Sequence, residues 1–231
     1  MKLSLLVFTL LSGACCLAQT SPELWVSGGV KRKFTKKWIG EVSMNMRFYE
    51  FSKPGTLYPE VSLTYKLVDG IKLSADYRLV SEENKYTNYT FANRLNFNAD
   101  FELAFSGFDL GFRVRYQNSF DGLRTTESFS PEFDQALRLK PSVDIHLAED
   151  SRFSPSVSAE WFYSLVHAPL GDRFTKYRIS AGTGIDLKGP NELDLKFIFG
   201  RNINLPRNST ELIFSAGYTF EWKKAKPKKK K

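Results

Sequence analysis

The sequence predicts an all-β protein: an antiparallel up-and-down transmembrane β-barrel of ten to twelve strands. Three observations predict it. Hydropathy alternates with a period of two from Leu24 to Trp222, with almost no helical periodicity. The alternating segments run to about ten to sixteen residues, and ten or eleven tilted residues cross an apolar band of about 25 Å, whereas soluble strands average about five or six. Short and long connections follow one another in turn, as they do around an up-and-down barrel.

The chain starts with a different kind of segment. Lys2 is followed by a nearly unbroken apolar run from Leu3 to Leu11, and Cys16-Leu17-Ala18 offers small residues at a cleavage position. Residues 1–18 read as a secretory signal peptide, with Gln19 as the new N-terminus. Ser12-Gly13-Ala14-Cys15 is a poor lipoprotein box, because a large aliphatic residue should stand at Ser12. Cys15 and Cys16 both leave with the leader, so the exported chain holds itself together without disulfides.

The first strand, Leu24 to Phe34, alternates least cleanly. The following segments show one apolar and one polar face. Val42, Met44 and Met46 alternate with Glu41, Ser43, Asn45 and Arg47, and Val61, Leu63 and Tyr65 with Glu60, Ser62 and Thr64. Leu73, Ala75 and Tyr77 oppose Lys72, Asp76 and Arg78, while Leu95, Phe97 and Phe101 oppose Arg94, Asp100 and Glu102. Phe108 to Tyr116 sets five apolar residues against Asp109, Arg113 and Arg115. Leu137, Leu139 and Val143 oppose Arg138, Lys140 and Asp144. Later strands begin near Ser154, Phe174, Glu192 and Ser209. Short turns are expected at Thr35-Lys36-Lys37, Asp69-Gly70, Ser106-Gly107, 148–152 and 188–191. Longer links are expected at 52–56, 81–88, 119–132, 167–173 and 202–208. Residues 19–222 therefore form one barrel domain, and 223–231 a lysine-rich tail.

Eleven segments are legible, whereas bacterial barrels ordinarily have an even number. With the short turns in the periplasm, segment eleven ends there and segment one begins outside. The expectation is ten wall strands, or twelve with one unseen; an odd count closed by a parallel seam ranks last.

Which face meets lipid follows from three features. The segments are long. Aromatic residues such as Trp38, Tyr58, Phe105, Trp161 and Phe174 gather near segment ends as interfacial girdles. The last segment, Gly217-Tyr218-Thr219-Phe220-Glu221-Trp222, resembles the terminal-strand signal read by outer-membrane barrel-assembly machinery, with Gly217, Phe220 and Trp222 as its marks. Unlike many such barrels, the chain then continues into lysines.

Charge supports the same orientation. The formal net charge is +8, but Lys2 and seven lysines after Trp222 account for the excess; the rest has 25 bases against 25 acids. A neutral body of this kind is no nucleic-acid binder. The tail has the composition of a solvated end, and it also suits an anionic periplasmic partner such as lipid phosphate. The polar faces of segments two to eleven hold twelve bases and twelve acids, and their apolar faces none. With lipid outside, these charges line the lumen. Expected lining residues include Glu41, Arg47, Arg94, Glu102, Arg113, Arg115, Arg138, Asp144, Glu160 and Arg178. Cross-strand ion pairing and a largely filled interior follow, with Glu102, Asp144 and Glu160 as candidate partners for the arginines.

Leu24-Trp25, the turn Phe34-Thr35-Lys36-Lys37-Trp38, Glu41 and Arg47-Phe48 occur in an order that resembles a family of outer-membrane β-barrels from Bacteroidota catalogued as a domain of unknown function (number 2490). The resemblance covers residues 24–222 and implies location and fold, with no activity to carry over.

Enzymatic readings find no support. No catalytic site, metal site or cofactor is expected. The two histidines, His146 and His167, lack the serine arrangement of a lipid hydrolase, and no glycine-rich phosphate loop opens a helix. The expected protein is an outer-membrane barrel, either a small channel or closed. Two alternatives stand beside it: a cell-surface binding module using the loop 119–132, and a soluble secreted lipocalin-like barrel.

Overall fold

The computed structural model describes residues 20–84, 88–121, 135–148, 151–165, 174–187, 189–205 and 209–222. The leader, most of the loop 119–132, His167 and the lysine tail lie outside the described residues. The described residues form eleven strands in chain order: β1 (Thr20–Lys33), β2 (Trp38–Tyr49), β3 (Lys53–Val68), β4 (Ile71–Asn84), β5 (Asn88–Ala104), β6 (Phe108–Asp121), β7 (Ala136–Ile145), β8 (Phe153–Ser164), β9 (Phe174–Asp186), β10 (Asn191–Asn202) and β11 (Thr210–Trp222). Each pairs antiparallel with its sequence neighbour, and the sheet closes on itself.

The closing pair departs from expectation. β1 runs parallel to β11, from Thr20 opposite Thr210 to Arg32 opposite Trp222. Segment one is therefore a full wall strand, and the described barrel has eleven strands rather than ten or twelve. The physical reason is that β1, flanked by β2 and β11, carries outward apolar residues (Val26, Val30) alternating with inward ones, so it fits the wall like any other strand. Odd counts are known among mitochondrial barrels. Small residues let the seam close: a Cβ on Gly217 would sit 2.9 Å from the Ser27 hydroxyl oxygen.

Connections differ slightly from the sequence reading. β3 begins at Lys53, so the expected link 52–56 shrinks to a turn in which Glu50 and Phe51 have positive φ. A register shift between Arg47 and Phe48 absorbs the irregularity. β4 and β5 likewise extend into the expected link 81–88. At the opposite end, Asp69-Gly70 joins β3 to β4, with Gly70 at φ 80°. A Cβ there would meet the Glu102 carbonyl oxygen at 2.6 Å, so both conformation and space require glycine. In the same turn, the Lys66 ammonium bonds the Asp69 carboxylate and holds its pKa below the ordinary value.

Burial is inverted relative to a soluble protein. Among the described residues forty large apolar ones are exposed, including Val42, Phe91, Phe97, Leu103 and Phe214, and they point outward from strand after strand. Among the described residues only Tyr58, Val80, Ala136, Phe162 and Ile213 form an apolar interior, against twelve buried polar or charged residues. A lipocalin-like barrel would have the opposite arrangement.

Candidate functional site

The interior divides into two zones by height along the barrel. Toward the ends of the strands that carry the longer loops, it is packed. Trp25 (β1), Tyr58 (β3) and Phe162 (β8) point inward and are wrapped by guanidinium groups. Arg47 lies 4.2 Å from the Trp25 ring centroid and Arg178 5.0 Å; Arg138 lies 4.4 Å and Arg178 5.1 Å from Phe162; Arg78 lies 5.4 Å from Tyr58. Guanidinium is weakly hydrated and planar, so it stacks on rings where an ammonium would hold water. Carboxylates complete the plug. Lys176 Nζ donates to Glu211 Oε1 at 2.7 Å, Arg178 Nη2 lies 3.4 Å from Glu211 Oε2, and the Trp25 indole N–H donates to Glu23 at 2.7 Å. The Lys176 side chain is 2% exposed.

Toward the short turns the interior opens. A cavity of about 370 Å³ occupies the middle of the barrel, and a second of about 410 Å³ continues it toward the short-turn end; both are lined by Glu41, Glu60, Arg113, Arg115 and Lys140. Small residues make the room: Ser27, Gly29, Ser43, Ser158 and Ser180 line the first cavity. Exposure follows the same gradient. The ion pair Lys72–Glu102, near the short turns, has side chains 40% and 45% exposed, whereas Arg138–Glu160 has 11% and 14%.

The charges are layered. Among the described residues seven bases and three acids line the middle cavity, whereas five of each line the lower one. At the short-turn end of β6 and β7, Asp109 and Asp144 stand directly opposite one another, with His146 Nε2 3.0 Å from Asp109. The basic layer is densest on β6 and β7, where Arg113 faces Lys140 and Arg115 faces Arg138 in register.

Residues 23–211 match the family described as "Protein of unknown function (DUF2490)". The chain belongs to this family. Among solved structures, the crystal structure of Acinetobacter baumannii OccAB4 is similar at 8% identity with a TM-score of 0.38, over 77% of this chain and 50% of that one. The chain thus spans about half the length of that protein. No curated protein matches the chain.

In this DUF2490 chain the ten expected lining residues fall at different levels. Arg47, Arg94 and Arg178 belong to the packed zone; Arg94 Nε donates to Ser119 Oγ at 3.3 Å. Glu41, Arg113, Arg115, Arg138 and Glu160 surround the middle cavity together with Arg178. Glu102 pairs with Lys72 at 2.7 Å, near the short turns. Asp144 is exposed at the rim.

The expected arginine partners need revision. Only Glu160 serves as foreseen, 2.9 Å from Arg138. Glu102 stands opposite Gly111 and Asp144 opposite Asp109, one and two layers nearer the rim than Arg113, and Glu102 binds Lys72 instead. Asp100 takes Arg113 at 2.5 Å, Asp76 takes Arg115 at 3.4 Å, and Glu60 takes Arg78 at 2.5 Å. Tyr58, expected in an interfacial girdle, is an interior residue at 8% exposure. Its parity with Glu60 and Ser62 is the signal that could have placed it. Trp25 and Phe162 share parity with Glu23 and Glu160 in the same way.

Gly217, Phe220 and Trp222 lie on β11, in the seam, with Arg32 of β1 5.0 Å above the Trp222 ring. Among the described residues no group of three His, Cys, Asp or Glu side chains is placed to hold a metal ion.

Proposed function

We propose that this chain is an integral outer-membrane barrel, closed to free diffusion at its long-loop end and open to the periplasm as a charged cup. The observation that carries the reading is the inverted burial: apolar side chains form the outer belt, and ion pairs fill the interior. Lipid is the solvent that makes both faces favourable at once. Orientation rests on the rule that short turns face the periplasm. In this reading residues 1–18 direct export, outer-membrane lipid surrounds the belt, and the assembly machinery engages β11 through Gly217, Phe220 and Trp222. The lysines after Trp222 emerge in the periplasm, where they suit an anionic partner. No catalytic role is assigned to any residue.

Closure at the long-loop end favours a closed barrel over a constitutive channel. The stacked set of Trp25, Tyr58, Phe162 and five bases fills the section a solute would have to cross. Two measurements test the reading separately. Detergent-extracted protein from the outer-membrane fraction should migrate anomalously on a gel until boiled; recovery as a detergent-free soluble monomer refutes the membrane assignment. In planar bilayers the wild-type chain should show no steady conductance, and the double substitution Trp25→Ala with Phe162→Ala should introduce it. Stepwise conductance by the wild-type chain refutes closure.

A further inference from the structure

We propose that the middle cavity binds a phosphate group on a block of four bases contributed by β6 and β7. Arg113 stands directly opposite Lys140, and Arg115 directly opposite Arg138, two residues further along the same face. Directly opposed side chains in a sheet have Cβ atoms about 5 Å apart, and like charges in that relation repel. No carboxylate lies within the block. Its compensating acids all come from other strands: Asp100 on the adjoining β5, Asp76 on β4 beyond it, and Glu160 on the adjoining β8. That leaves four bases against three acids. Lys140 is the one with no ion pair of its own among the described residues: Glu160, the carboxylate whose charge it feels, is bound to Arg138.

Donor accounting gives the same result. Arg113 uses Nε for Asp100, and Arg115 commits Nε to Asn98 Oδ1 and Nη2 to Asp76. The Lys140 ammonium adds three further donors. All four bases line the same cavity of about 370 Å³; across from them Ser27, Gly29 and Ser43 leave space, and the carboxylates on that wall are Glu41 and Glu60, the latter bound to Arg78. A repelling block beside an open space has the form of a site for a small anion. A planar carboxylate presents two acceptors and one charge. A phosphate presents three or four acceptors and about two charges, which matches converging guanidinium and ammonium donors better.

This inference rests on the reading of the barrel interior as its aqueous side, and gel migration of each variant monitors that reading independently. The test is thermal melting of the full chain in neutral detergent, with inorganic phosphate, glycerol phosphate, or chloride at matched ionic strength. Either phosphate compound, at about tenfold over its Kd, should raise the melting temperature of the wild-type chain by about 3 °C, and chloride should not. A larger response to the monoester marks a phosphorylated solute as the ligand; a larger response to inorganic phosphate marks the free ion. Lys140→Gln should abolish the response, and Lys140→Arg should retain it. Because Lys140→Gln removes a repelling charge, that variant should melt above wild type in phosphate-free buffer. No phosphate response in wild type, an equal response in Lys140→Gln, or a Lys140→Gln chain that melts below wild type without phosphate overturns the proposal.

Discussion

Replacing Glu160 by glutamine removes one charge from the interior while keeping the side chain's shape. Glu160 accepts two bonds from Arg138, at 3.0 Å from Nε and 2.9 Å from Nη2, and stands in register with Arg178. Both side chains of the pair are nearly buried, at 11% and 14% exposure, so little water is available to take over. Arg138 cannot swing away to solvent, because its guanidinium is stacked 4.4 Å from Phe162 and bonded to Gln117. Removing one member of a buried pair costs about 3–5 kcal/mol, and the remaining glutamine acceptor puts Glu160→Gln near about 3 kcal/mol. The assay is denaturant unfolding in lipid followed by tryptophan fluorescence, reading the shift in midpoint at constant slope. Combining Glu160→Gln with Arg138→Gln should recover about 1–3 kcal/mol relative to the sum of the single substitutions. A Glu160→Gln chain within about 0.5 kcal/mol of wild type, or strictly additive effects, would refute the account of a charge-balanced interior.

Other perturbations probe the outer face and the turns. Phe97→Arg, at the middle of β5 on the exposed apolar belt, should destabilise the lipid-embedded barrel by about 2–4 kcal/mol in the same unfolding assay; a neutral result contradicts lipid contact at that height. Gly70→Ala forces a Cβ to within 2.6 Å of the Glu102 carbonyl oxygen in a left-handed conformation, and should cost about 1–3 kcal/mol. An unchanged unfolding midpoint for that variant would mean the β3–β4 turn relaxes freely.

The strands were legible because their signal is local. Each residue's neighbours two positions away fix its face, and starts expected at Ser154, Phe174, Glu192 and Ser209 fall within one residue of the observed Phe153, Phe174, Asn191 and Thr210. The seam was not legible, because β1 and β11 are joined by no turn and alternation has no direction: a strand reads the same whether its partner is parallel or antiparallel. Heights were also hidden. Parity assigns Glu102, Asp144 and Glu160 to one side of the wall, but only register reveals that Glu160 reaches Arg138 while Asp144 lies beside Asp109 at the rim. For the same reason, equal totals of acids and bases suggested interleaved ladders throughout, whereas among the described residues register gathers seven bases against three acids around the middle cavity and five of each around the lower one. Tyr58 is a different kind of miss. A tyrosine near a strand end fits an interfacial belt by type, and its parity with Glu60 is the information that overrules type.

The parallel seam also determines how the molecule can be tagged. Because β1 and β11 run the same way, the backbone enters the wall at one mouth of the barrel and leaves it at the other. In the membrane reading proposed above, a reporter fused ahead of Thr20 and one fused beyond Trp222 would therefore emerge on opposite sides of the lipid. A membrane-impermeant label applied to intact cells would reach one and spare the other, which an even-stranded barrel of the ordinary kind could not do.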